Sequence, residues 1–233
     1  MTLRQGFPAL VTLMVIGGGL AAVEAARLGQ WGLAFVLVVF AAIADAVDGR
    51  VARWLRATGP MGAQLDSLAD VVAFGAAPAL LFIARYSDAP GLLRLGVALA
   101  FVGAGAFRLA RFGVETKHDE FSGMPITCGG LFFAAAVAQP VAHGAAITGA
   151  VGIVLAVLMV SRVPFAKLTA WHWEFTPILA AAAIPMLLEP SAETGAAVVC
   201  ALLGAYTLWS VAGPLVRDGG LMDRLRDHAP AHP

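Results

Sequence analysis

Long apolar stretches separated by short polar breaks run along most of this chain. Eight can be delimited, at residues 8–27, 31–56, 61–84, 91–112, 126–143, 145–162, 175–189 and 194–216. Most reach the roughly 20 residues that a helix needs to cross a bilayer. The pattern predicts an all-α, polytopic membrane helix bundle of about eight transmembrane helices. Because the seventh stretch is short and the fifth and sixth adjoin Pro140, six or seven helices are the alternatives.

Composition agrees with a membrane protein. Hydrophobic residues make up 60% of the 233 positions and charged residues 13%, about half of the usual soluble share. We expect one transmembrane domain over residues 1–216 and a polar cytoplasmic tail over 217–233. Membrane lipids are the expected surroundings, and no nucleic-acid partner is expected.

The distribution of basic residues predicts the orientation. With eight spans, both termini and the loops after the second, fourth and sixth spans share one side. Twelve of the 15 Lys and Arg residues lie on that side, and Arg27, Arg85 and Arg94 lie on the other. Because positive charge accumulates on the cytoplasmic side of inner-membrane proteins, both termini are predicted to be cytoplasmic.

Four aspartates interrupt the apolar pattern between the second and third spans. Asp45 and Asp48 end one apolar stretch, and Asp66 and Asp70 lie within the next. A charged residue at a helix centre costs about 2.5–3.5 kcal/mol, so four without partners would cost on the order of 10 kcal/mol. Bound divalent metal is the obvious compensation for such a cluster.

Helical spacing places each pair of aspartates on one face. Asp45 and Asp48 lie about 60° apart around a helix, and Asp66 and Asp70 about 40° apart. Two such helices can converge on one cluster of hard cations. Ligation by oxygen alone favours Mg²⁺, Mn²⁺ or Ca²⁺ over zinc.

The full motif resembles a known signature. The residues Asp45-x2-Asp48-Gly49-x2-Ala52-Arg53-x8-Gly62-x3-Asp66-x3-Asp70 match that of the CDP-alcohol phosphotransferases at every fixed position. This resemblance implies an integral membrane enzyme of phospholipid head-group synthesis. A buried ion-pair network or a cation pathway built from the same aspartates does not need this spacing.

A second stretch refines the resemblance. Residues 107–112 read F-R-L-A-R-F, and residues 121–125 read F-S-G-M-P. Within the family, these two motifs are similar to those of the membrane phosphatidylserine synthases. The chain departs from that pattern at Ala9, where those enzymes usually have asparagine, and at Thr127, where they commonly have a second proline.

The resemblance implies roles for particular residues. Asp45, Asp48, Asp66 and Asp70 would hold two divalent cations, Mg²⁺ or Mn²⁺, with Asp70 also acting as the general base. The expected substrates are CDP-diacylglycerol and L-serine, the expected products are phosphatidylserine and CMP, and a homodimer is expected. Residues expected to line the CDP-lipid site are Gly49, Ala52, Arg53 and Gly62, with Thr12 and Thr58 as further candidates.

Arg108 and Arg111 lie three residues apart on one helical face at the predicted cytoplasmic end of the fourth span. Guanidinium groups bind carboxylate and phosphate through paired hydrogen bonds, so both residues are candidates for binding the acceptor or a phosphate. Ordinary positively charged anchors at the membrane surface are the alternative.

Other functions remain open from the sequence. A transferase of the same family could use glycerol 3-phosphate or inositol phosphate as acceptor, or an archaeal ether lipid as donor. From a different class, a divalent-cation channel or transporter could use the four aspartates as its pathway. Such a pathway predicts aspartates aligned through the membrane, whereas these lie within 26 residues near one predicted face.

Overall fold

A computed structural model describes residues 3–54, 59–114, 123–139 and 144–161 of the chain. The side chains of residues 3–9 and 48–54 lie outside that description. Six helices occupy these ranges, and no strand occurs in them. They are α1 (Leu3–Arg27), α2 (Trp31–Trp54), α3 (Pro60–Arg85), α4 (Gly91–Val114), α5 (Ile126–Ala138) and α6 (Gly144–Val160).

The helices are those of a membrane bundle. Three of the described helices contain windows long and apolar enough to cross a bilayer: Leu10–Arg27, Pro60–Arg85 and Gly91–Val114. Shorter apolar stretches occur at Trp31–Val47, Ile126–Ala138 and Gly144–Val160. Many large apolar side chains face outward, with Leu92 88% exposed and Leu99 76% exposed. Outward apolar side chains are expected where lipid replaces water.

The first six predicted spans correspond to the six helices, and their boundaries differ most, by five residues each, at the beginning of the first and at the end of the fifth. The fifth span was expected to extend to residue 143, but α5 ends at Ala138 because Gln139 adopts an extended backbone (ψ 144°). An extended residue before Pro140 is expected, since proline disfavours the helical conformation of its predecessor. The predicted spans at 175–189 and 194–216 and the polar tail lie outside the described residues.

Helix α3 packs against α1, α4 and α5. It begins at Pro60, where the missing N–H of proline leaves no hydrogen bond unmade. Between Val71 and Ala76 it widens into a π-helical segment. There the Ala77 N–H donates to the carbonyl of Val72, five residues earlier. Such segments occur mostly as single wide turns, frequently at functional sites.

Glycines on two neighbouring helices allow close contact with this segment. A Cβ on Gly19 of α1 would lie 2.8 Å from Ala73 Cα. A Cβ on Gly130 of α5 would overlap the carbonyl oxygen of Phe74 and lie 2.7 Å from its Cα. The backbones therefore approach more closely than any side chain would permit, as small residues allow in membrane bundles.

Polar contacts join the opposite end of α3 to its neighbours. The Tyr86 and Thr148 hydroxyls form a 2.7 Å hydrogen bond between the end of α3 and helix α6. Arg94 donates from Nε to the Ala89 carbonyl at 3.0 Å and from Nη1 to the Ile83 carbonyl at 3.4 Å. These bonds fix the turn between α3 and α4.

Candidate active site

Helices α2 and α3 carry the four aspartates. Helix α2 continues to Trp54, so the backbone of the whole 45–53 part of the motif is helical. The side chains of Asp48, Gly49, Ala52 and Arg53 lie outside the described part of the structure, as does residue Thr58. Asp66 and Asp70 lie one turn apart in the first, α-helical part of α3. The helical spacing predicted for each pair is therefore confirmed, whereas ligation by these residues stays a prediction.

Asp70 lies where three helices converge. Its carboxyl group interacts electrostatically with Asp45 of α2, with Asp66 one turn earlier on α3, and with Arg108 of α4. The Asp70 Oδ1 atom is buried and has no hydrogen-bond partner among the residues that the structure describes. A buried carboxylate oxygen without a partner is costly, so this atom calls for a ligand.

The donor type of this cluster, carboxylate oxygen, suits a hard divalent cation. Three carboxylates face a single described guanidinium, and carboxylate oxygen is the ligand type that Mg²⁺ and Mn²⁺ prefer. Within the described residues, no group of three or more Asp, Glu, His or Cys has an arrangement that could hold a metal. The side chain of the fourth predicted ligand, Asp48, lies outside the described residues.

The two arginines on α4 have different surroundings. Arg108 is buried, with 7% of its surface exposed, and it interacts electrostatically with Asp70 and with the Cys128 thiol of α5. Arg111 instead directs its guanidinium to the carbonyls of Val160 and Ser161 at the end of α6. Only Arg108 of this pair is shown near the carboxylate cluster.

Two further predicted residues have different surroundings. Thr12 is buried on α1, with 4% of its surface exposed. Gly62 is exposed one turn before Asp66, and no described atom lies within 4 Å of where its Cβ would be. Open space beside Gly62 suits close approach by a ligand, as predicted for the CDP-lipid site. Neither residue is shown to contact one.

The sequence did not indicate the helix geometry and packing that follow Asp70. The π-helical segment begins at the next residue, Val71, and Gly19 and Gly130 hold it from two sides. The only signal was the abundance of glycine in these apolar stretches, which indicates close packing but not the packing partner.

Comparison with known proteins identifies the family. The sequence model of the CDP-alcohol phosphatidyltransferases matches residues 6–209. The chain belongs to this family. That match extends well beyond the motif and includes all six described helices except the first residues of α1.

Similar proteins within this family carry one name, CDP-diacylglycerol–serine O-phosphatidyltransferase. The protein from Helicobacter pylori (strain J99) is 42% identical over 125 residues, covering 52% of each chain. That from Mycobacterium bovis is 34% identical over 181 residues, covering 71% of this chain and 63% of the relative. That from Methanocaldococcus jannaschii is 34% identical over 157 residues, covering 67% and 72% respectively. The chain thus spans about half the length of the Helicobacter relative.

Membership confirms the predicted resemblance and gives the carboxylate cluster a chemical context. Enzymes of the CDP-alcohol phosphatidyltransferase family use divalent metal ions. The match includes Asp45, Asp66, Asp70 and Arg108, which the fold brings together.

Proposed function

We propose that the chain transfers the phosphatidyl group of CDP-diacylglycerol to the hydroxyl of L-serine, giving phosphatidylserine and CMP. The observation that carries this proposal is the convergence of Asp45, Asp66, Asp70 and Arg108 from three helices of a family member. The names of the similar proteins support serine as the acceptor.

Asp45, Asp48, Asp66 and Asp70 would hold two divalent cations, Mg²⁺ or Mn²⁺, against the pyrophosphate of the CDP-lipid. When bound, two such ions neutralise the charge that develops on the attacking and departing oxygens of an in-line displacement. Gly49, Ala52, Arg53 and Gly62 would line the CDP site, with Thr12 and Thr58 at its margin.

Asp70 would accept the proton of the serine hydroxyl as the hydroxyl oxygen attacks the lipid-bearing phosphorus. The new oxygen–phosphorus bond forms as the bond to CMP breaks, and CMP leaves with the electron pair of that bond. The Asp70 Oδ1 atom supports this role, because it has no hydrogen-bond partner among the described residues and can therefore accept a proton from a bound acceptor.

Arg108 would bind the serine carboxylate. It is buried, positively charged and within electrostatic range of Asp70, so a carboxylate held there would place the serine hydroxyl near the base. Because a guanidinium can form two parallel hydrogen bonds with a carboxylate, the same contact would favour serine over an uncharged alcohol.

The surroundings of this reaction follow from the charge distribution. We propose that the enzyme lies in the inner membrane, with its termini and the aspartate cluster on the cytoplasmic side, where nucleotide-activated lipid is made. We also propose that it is a homodimer, which rests on the family alone.

The deciding experiment measures CMP release by purified protein in detergent with CDP-diacylglycerol and Mn²⁺ or Mg²⁺. Serine, glycerol 3-phosphate, inositol and inositol phosphate are compared as acceptors. Asp70→Asn should abolish release, whereas Asp88→Asn makes the same chemical change in the exposed turn after α3 and should not.

Serine-dependent release that is lost only in Asp70→Asn would support the proposal. Release with another alcohol would replace serine but keep the reaction class. Metal flux through liposomes, with no CMP release from CDP-diacylglycerol whichever acceptor is added, would favour a cation pathway instead.

A further inference from the structure

The carboxyl end of α6 is held by groups from two distant parts of the chain. Arg111 of α4 donates from Nη1 to the Val160 carbonyl at 3.1 Å and from Nη2 to the Ser161 carbonyl at 3.4 Å. The backbone N–H of Met124 donates to the Leu158 carbonyl at 3.1 Å. The last carbonyls of a helix have no partner within it and carry partial negative charge, so a guanidinium there is doubly favourable.

Glycine at position 123 makes this approach sterically feasible. Gly123 has φ 89°, a conformation that residues with a Cβ rarely adopt. A Cβ there would lie 2.5 Å from the Met159 carbonyl oxygen and 2.9 Å from that of Ser161. The glycine of the F-S-G-M-P stretch therefore serves contact with α6. We call residues Gly123–Ile126, which lead into α5, the junction.

The junction ends in a side chain that lies between the two helices bearing Arg108 and Asp70. Ile126 Cδ1 lies 2.6 Å from where a Cβ on Gly105 of α4 would be, and 3.8 Å from where one on Gly75 would be. Gly105 precedes Arg108 by three residues, and Gly75 belongs to the π-helical segment that follows Asp70. The spacing of α3 and α4 at this level therefore depends on Ile126.

We propose that Arg111 is a positioning residue for the transferase reaction. By binding the end of α6, it holds the junction against that helix, and the junction in turn holds Ile126 between α3 and α4. Arg111 thereby fixes the separation of Arg108 from Asp70 without contacting the acceptor. This inference rests on the proposed function, since it deepens the role of the same site.

The chain offers a matched control for Arg111. Arg94 lies on the same helix and also donates to two backbone carbonyls, those of Ala89 and Ile83. It lies 17 residues before Arg111, which corresponds to roughly 25 Å along the helix. Arg111→Met and Arg94→Met therefore remove similar hydrogen bonds, one set three residues after Arg108 on α4 and the other 14 residues before it.

Steady-state kinetics of these variants separate positioning from stability. In Arg111→Met we expect the KM for serine to rise about tenfold or more, since small misplacements of reacting groups have effects of this size. Arg111→Lys, which keeps a charged donor, should recover part of this loss. Ile126→Val, which removes only Cδ1, should raise KM in the same direction in a protein that remains folded. Arg94→Met should keep the wild-type KM.

A second measurement needs no substrate. In a Cys200→Ser background, the buried Cys128 of α5 is treated with a maleimide, and its rate of labelling reports opening of the packing around the junction. We expect Arg111→Met to be labelled faster than Arg94→Met and wild type. Equal labelling of the two arginine variants would overturn the proposal, whatever their activities.

The two measurements distinguish the possible failures. An active wild type with equal KM values in Arg111→Met and Arg94→Met would overturn the positioning role alone. If the wild type releases no CMP whichever alcohol is added, this would count against the proposed function. Labelling would then decide whether Arg111 holds the junction, with faster labelling of Arg111→Met in support and equal labelling against.

Discussion

Substituting Gly130 by alanine should damage the candidate active site through its packing against the π-helical segment. The added Cβ would lie 2.7 Å from Phe74 Cα and 2.7 Å from Phe74 Cβ, whereas ordinary contacts begin at 3.4 Å. Helix α5 and the π-helical segment would therefore have to separate by at least about 0.7 Å, since the Phe74 carbonyl oxygen is closer still. Backbone atoms receive the contact, so rotation of a side chain cannot relieve it.

The expected magnitude follows from this displacement. Overpacking by one methyl group costs about 1–3 kcal/mol of stability. A shift approaching 1 Å in catalytic geometry can lower the rate by as much as about 100-fold. Phe74 lies four residues after Asp70 on the same helix, so we expect kcat/KM for serine to fall between about tenfold and 100-fold.

The assay compares CMP release and thermal unfolding in detergent for Gly130→Ala and Gly103→Ala. Gly103 lies on α4, and no described atom lies within 4 Å of where its Cβ would be. Alanine there should be tolerated and can add up to about 1 kcal/mol of helix stability. Wild-type activity and stability in Gly130→Ala would refute the reasoning, because they would mean that the close contact does not constrain Asp70.

Three further substitutions test other contacts. Asp66→Asn should abolish the rise in melting temperature that Mn²⁺ or Mg²⁺ gives the wild type in detergent, and Asp88→Asn should retain it; retention in both would argue against Asp66 as a ligand. Tyr86→Phe should lower the free energy of unfolding by about 1 kcal/mol through loss of its bond to Thr148, without changing the KM for serine. Glu24→Gln should leave both activity and melting temperature unchanged, because its ion pair with Arg27 is solvent-exposed.

The helices could be predicted from the sequence because each one follows from the length of its own apolar stretch. Apolar length alone delimited six described helices, and the beginning and end of α3 lie within one residue of the predicted 61–84. The helical spacing of Asp66 and Asp70 followed in the same way. The structure also brings Asp45 and Arg108 near Asp70, whereas the roles of these residues stay predictions.

Contacts between distant residues could not be predicted in this way. Arg108 and Arg111 look equivalent in sequence, since both lie on one face of α4 and both suit an anionic group. Their surroundings distinguish them, since α6 offers its terminal carbonyls to Arg111 whereas Arg108 is buried near Asp70. The positive φ of Gly123 likewise depends on packing against α6, and no neighbouring residue specifies it.

The π-helical segment of α3 also changes the rotational phase of this helix. Its wide turn accommodates one more residue than an α-helical turn, and each residue corresponds to about 100° around the axis. Residues before Val71 and residues after Ala76 are therefore out of register with a single helical wheel. One membrane crossing can thus direct Asp70 towards the carboxylate cluster and still direct Phe82 into the apolar core. Deleting one residue between them would restore a regular α-helix. Asp70 could then no longer face the carboxylate cluster while Phe82 faces the apolar core.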